Sequence, residues 1–196
     1  MSVFAGGTDN PVTKPAKVEL PQNKTVSISS PDGRWNLVAT PFNVADPTAD
    51  RKLFLANRRT GERNLVKSYG RDLSVGWGPD SRAFFLNDAF ASNVEDAYIY
   101  QIGGEQPFKL NDRVLGSDPE ARALGADHTY FHAWRWLNTH SVEVEYCGHR
   151  SSYPARQFHF LYRVDWRGDD AADAEVHRLS KSVQPASLTA PECLHD

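Results

Sequence analysis

Histidine, cysteine and carboxylate side chains hold most of this chain's capacity for metal or acid–base chemistry, and they are unevenly spread. All seven histidines follow residue 127, with His128 and His132 four apart and Cys147 and His149 downstream. On a helix that histidine spacing would set two zinc ligands on one face. Tyr130 to Trp136 instead reads as a strand, where positions four apart stand about 13 Å from each other. The spacing therefore predicts polar histidines and no bound metal. A second group, Asn87, Asp88, Asn93, Glu95 and Asp96, is rich in the oxygen ligands that calcium favours. Its spacing does not follow the twelve-residue calcium loop, and Asp and Asn are ordinary turn formers. No cofactor is expected.

Catalytic patterns are equally scarce. The chain has no Gly-x-Ser-x-Gly elbow, no phosphate-cradling glycine loop and no His-Glu-x-x-His. The expectation is a protein without enzymatic activity, with a small metal-dependent hydrolase using the histidine-rich region as the rival. More informative is Ala89-Phe90-Ala91-Ser92 in the middle of the segment from Asn87 to Asp96. An aromatic flanked by small residues at a loop tip suits entry into a partner's cleft. The connection Gly148 to Arg156 places Tyr153 between Arg150 and Arg156, and tyrosine and arginine are favoured at interface centres. Asp88, Phe90, Ser92, Asn93, Arg150 and Tyr153 are the candidate protein-binding residues.

These residues must be carried by short strands. Ser30-Pro31-Asp32-Gly33 and Gly78-Pro79-Asp80-Ser81 are tight turns, each joining two apolar segments. Proline presets φ, aspartate bonds its own backbone, and glycine accepts the left-handed step. Around each turn the order repeats. Thr25 to Ser29, Trp35 to Ala39, Lys52 to Asn57 and Asn64 to Val66 form one unit; Leu73 to Trp77, Ala83 to Leu86, Ala97 to Ile102 and Pro107 to Leu110 form the next. A third unit keeps the order without the Pro-Asp, at Tyr130 to Trp136, Ser141 to Tyr146, Phe158 to Asp165 and Ala174 to Leu179. Between units two and three, Asn111 to Thr129 is a long connection in which Pro119 to Leu124 could form one or two helical turns. Four-stranded units at a period near 50 residues are the mark of β-propeller blades.

The repeated turn resembles the TolB-type β-propeller repeat of bacterial envelope proteins. Ser30-Pro31-Asp32-Gly33 matches that pattern fully, and Gly78-Pro79-Asp80-Ser81 departs at its first and last positions. The resemblance covers residues 25 to about 110, and 130 to 180 by strand order alone. It implies a protein-binding scaffold in the cell envelope. A stand-alone chain of 196 residues with aromatic loops also resembles the immunity proteins that neutralise effectors of type VI secretion. The fold expected is all-β, a small or partial propeller of three to four four-stranded antiparallel blades, at about 25–67, 72–110 and 130–180. A flexible leader over 1–22 and a tail over 183–196 would flank a single domain over 23–182, and leader or tail could supply an edge strand.

Composition sets the outer bounds. With hydrophobic residues at 40%, charged residues at 24% and a net charge of −3, the chain has the make-up of a globular protein and lacks the basic balance of a nucleic-acid binder. Nothing approaches the roughly 20 apolar residues of a membrane-spanning helix. Thr8 to Gln22 carries three prolines and reads as the leader after a signal-peptide cleavage site, which predicts a periplasmic or secreted protein. Cys147 and Cys193 could form a disulfide closing a loop of about 46 residues, worth about 4 kcal/mol, or stand as separate thiols. The expected partner is another protein, a toxin or effector enzyme, with pairing into a homodimer as a further way to close the array.

Overall fold

The computed structural model describes residues 17–42, 50–151, 153–167 and 170–185. Among them are thirteen strands and two short helices, so the protein is all-β in character. The first unit is an antiparallel sheet of β2 (Val26–Ser29), β3 (Trp35–Ala39), β4 (Arg51–Asn57) and β5 (Arg63–Tyr69), paired in that order. The second contains β6 (Asp72–Trp77), β7 (Ala83–Ala91), β8 (Val94–Gln101) and the short β9 (Phe108–Lys109). The third contains β10 (His128–Asn138), β11 (Ser141–Arg150), β12 (Tyr153–Arg167) and β13 (Asp170–Pro185), all antiparallel. Strand order within each unit follows the expectation from the turns.

The units do not stand as separate blades. β8 pairs in parallel with β10 through Thr129↔Val94 and Tyr130↔Glu95, which merges units two and three into one nine-stranded sheet. No closed ring is formed among the described residues. Beyond those two pairs β10 leaves β8 and lies across unit two, where the Trp136 ring stacks on Phe85 at 6.3 Å and its indole N–H donates to the Gly76 carbonyl at 3.0 Å. Gly76 is required there, because a Cβ would sit 2.3 Å from the Phe85 ring.

Period-two alternation makes unit two the middle layer. Along β7, Phe84 and Leu86 face unit one and join Leu37, Leu53, Leu73 and Trp77 in one core. Ala83 and Phe85 face the other way, into a core with Trp136, Val144, Tyr146 and Phe160 of unit three. Helices α1 (Leu110–Ser117) and α2 (Pro119–Ala123) add Leu110, Val114 and Ala121 to that second core. Asp118 caps α2 by accepting from the backbone N–H groups of Glu120 and Ala121.

Several boundaries move. The expected leader ends sooner, because β1 (Val18–Glu19) pairs with the outer edge of β6 and Leu20 is buried; residues 1–16 lie outside the described residues. The expected tail begins later, since β13 runs to Pro185, and residues 186–196 also lie outside the described residues. The expected loop from Asn87 to Asp96 is a continuous hairpin, β7 and β8, turning at Ser92-Asn93. Tertiary pairing overrides the turn preference of its Asn and Asp residues. Likewise Gly148 to Arg150 ends β11. In the β12–β13 ribbon the ladder shifts between Leu161 and Tyr162, so that Leu179 is an extra residue bulged from the outermost strand.

Candidate functional site

Strand direction brings one set of connectors to the same end of the molecule. β7 and β11 run toward it, and β8, β10 and β12 start from it. Hydrogen bonds join the connectors into one surface. The Asn93 carbonyl accepts from the Thr129 N–H at 2.9 Å, and the Asn93 side-chain amide donates to the Asp127 carbonyl at 3.0 Å. The Tyr130 hydroxyl donates to the Ser92 carbonyl at 3.3 Å. Asp127 accepts from the Ser151 N–H at 2.7 Å, while the Arg150 Nε–H donates to the Leu124 carbonyl at 2.8 Å. Hydrogen bonds from the Ser151 hydroxyl and backbone hold the Asp127 carboxyl below the usual carboxylate range.

Four of the six sequence candidates gather on or beside this surface. Ser92, Asn93 and Arg150 belong to the network, and Phe90 stands on the same hairpin with 51% of its surface exposed. Arg150 also borders an open cleft of about 470 Å³ with Leu124, Gln157, Phe158, Lys181 and Val183. The backbone of Tyr153 pairs with Arg150; its side chain lies outside the described residues. Asp88 departs from the expectation. It is buried toward unit one, 2.6 Å from the Lys67 ammonium, so it is a structural ion pair and not a contact residue.

The oxygen-rich segment divides for the same reason. Asp88 and Asp96 project toward unit one, Asp96 held by Lys109 at 2.8 Å and by Asn111 at 2.6 Å. Asn87 and Glu95 project toward unit three. Alternation along the strands therefore separates the carboxylates that the sequence places together. Among the described residues no group of three His, Cys, Asp or Glu converges as metal ligands. His128 and His149, opposite each other on β10 and β11, stack at 4.2 Å.

Behind the surface lies a buried polar network that spacing along the chain does not reveal. Asn87 accepts from the Ala133 N–H at 2.8 Å and donates to the Ala133 carbonyl at 3.1 Å and to the Ser74 hydroxyl at 3.0 Å. That amide replaces a missing rung of ladder where β10 has left β8. His132, 6% exposed, faces Glu95 through Nδ1 at 3.0 Å and the Lys17 ammonium through Nε2 at 3.1 Å. Because the ammonium only donates, the network assigns Nε2 as acceptor and Nδ1–H as the donor to Glu95. Lys17 also pairs with Glu19 at 2.8 Å, which ties β1 to the third unit. The partners come from five strands and the residue that precedes the first of them, so no local motif could have announced them.

Cys147 is buried on β11 and carries no free thiol; Cys193, its expected partner, lies outside the described residues. No helix among the described residues is long and apolar enough to cross a membrane. Compared with family models, with curated proteins and with solved structures, the chain finds no match in any of the three.

Proposed function

We propose that this protein is a non-enzymatic protein-binding module of the bacterial envelope, and in its sharper form an immunity protein or inhibitor that blocks a secreted effector enzyme. One observation carries the reading: connectors from two units are hydrogen-bonded into a single surface that leaves Phe90 half exposed on its hairpin. Burying a phenylalanine is worth roughly 2–3 kcal/mol, and a preformed frame lowers the ordering cost of binding. Phe90 would enter the effector's cleft while Arg150, Ser92 and Asn93 set its orientation. The order of four strands around each Pro-Asp turn supports the reading of kinship with TolB-type repeats. Burial of His132 in its network weighs against the hydrolase alternative.

The test is comparative capture from envelope extracts of the source bacterium, using wild-type protein and the variants Phe90→Ala, Arg150→Glu and Leu65→Ala. Leu65 is 56% exposed on unit one and serves as the control. A partner retained by Leu65→Ala and lost with both other variants supports the reading, and its activity should fall on addition of the wild-type protein. Equal loss with Leu65→Ala, or capture indifferent to Phe90, overturns it.

A further inference from the structure

At the opposite end of the strands the three equivalent turns meet. A cleft of about 450 Å³ is bordered by Arg34 and Trp35 of the first turn, Asp80 to Ala83 of the second, and Thr139 and His140 of the third. A neighbouring cleft shares Arg34 and Trp35 and adds Arg58 and Arg59. Across both, Arg34, Arg58, Arg59 and Arg82 stand against one carboxylate, Asp80. Two of these cations are already engaged: Arg34 pairs with Asp32 at 2.5 Å, and Arg58 donates to the Gly33 carbonyl at 3.1 Å. The exposed guanidinium groups of Arg59 and Arg82 make no ion pair or hydrogen bond among the described residues. Trp166 borders the first cleft at 4% exposure and lies edge-on to the His140 ring at 6.2 Å, so the two rings wall that side together.

The surface is held in shape before any ligand arrives. The Asp32 N–H donates to the Ser81 hydroxyl at 2.9 Å, which links the turns of units one and two. The Ser30 hydroxyl donates to Asp32 at 2.7 Å. Ser81 accepts a left-handed φ of 64° to make its contact, where the equivalent turn of unit one uses Gly33. Donors therefore exceed acceptors in a fixed, tryptophan-walled depression, the composition that receives carboxylates. The whole chain carries −3, so the positive charge is local and faces a short ligand better than a long polyanion.

We propose that this turn end is a second recognition site, one that binds an acidic peptide segment through Arg59 and Arg82, with Trp35 and Trp166 forming its walls. The probe is a fluorescein-labelled, end-capped hexaglutamate peptide, followed by anisotropy at low ionic strength. Saturable binding is expected, weakened about tenfold in the double variant Arg59→Ala/Arg82→Ala and unchanged in Arg150→Ala. Lysine at both positions should restore part of the affinity. Thermal melts should be unaltered in these surface variants, which separates lost binding from lost folding. Absence of saturation, equal weakening by Arg150→Ala, or tighter binding of an oligonucleotide of the same charge would overturn the assignment. Loss of the Phe90 surface leaves this outcome untouched, so the two sites fail separately.

Discussion

The two ends of the strand stack are built from the same units and solve opposite problems. At the hairpin end the polar groups are largely consumed by one another, as in Asn93 with Asp127 and Arg150 with Leu124, and what remains outward is the Phe90 ring. At the turn end the apolar groups are drawn inward, and Arg59 and Arg82 make no ion pair among the described residues. An apolar anchor gives affinity that is indifferent to salt, whereas exposed charge gives attraction that fades over about one Debye length, roughly 10 Å at 0.1 M. Connector chemistry, and not strand architecture, therefore decides what each end can hold.

The contrast can be broken most completely from the middle. Trp136 packs on Phe85 and donates to Gly76 where units two and three meet, so Trp136→Ala should cost about 3–5 kcal/mol and remove both binding activities together. Urea denaturation measures this, and a loss under about 1 kcal/mol would show that the ring does not hold unit three against unit two. Next in size is Asn87→Ala, which leaves the Ala133 N–H and carbonyl buried without partners; about 2–3 kcal/mol is expected by the same assay.

Phe90→Ala sharpens the comparison. Affinity for the captured partner should drop about tenfold or more at unchanged stability, equally at low and high salt. A loss that vanishes as salt is raised would make the hairpin end an electrostatic site after all. The smallest effect concerns acid. Burial raises the Asp32 carboxyl, but the Arg34 N–H, the Ser30 hydroxyl and the Arg34 guanidinium outweigh it and bring it from 3.8 to about 2. Its folded value lies below the unfolded one, so its contribution is complete above pH 3.8 and disappears as pH falls toward 2. Asp32→Asn should flatten that step when stability to urea is followed from about pH 5 down to about pH 2.

Much of this was legible from the residues. The Pro-Asp turns and alternating apolar segments gave the strand order of all three units, because both signals are local. The hairpin from Asn87 to Asp96 reads as a loop by residue type, since Asn, Asp, Ala and Ser favour turns when judged without the neighbouring strands that pair them. Helix α1 carries only Leu110 and Val114 at helical spacing against the core, too little periodicity to stand out. Within the hairpin-end surface, Phe90 and Arg150 were visible by type. Asp127 and Lys17 were not, nor was the role of Asn87 as a partner for the Ala133 backbone, because each acts through a group contributed by a different segment and only the folded chain sets them side by side.

The displaced Leu179 has a bearing on life in a crowd. A strand from a neighbouring copy that tried to zip onto the outermost ribbon would fall out of step at that residue, so growth of sheets from molecule to molecule stalls there. The bulge thus keeps the molecule's own flank from becoming a seed for fibres.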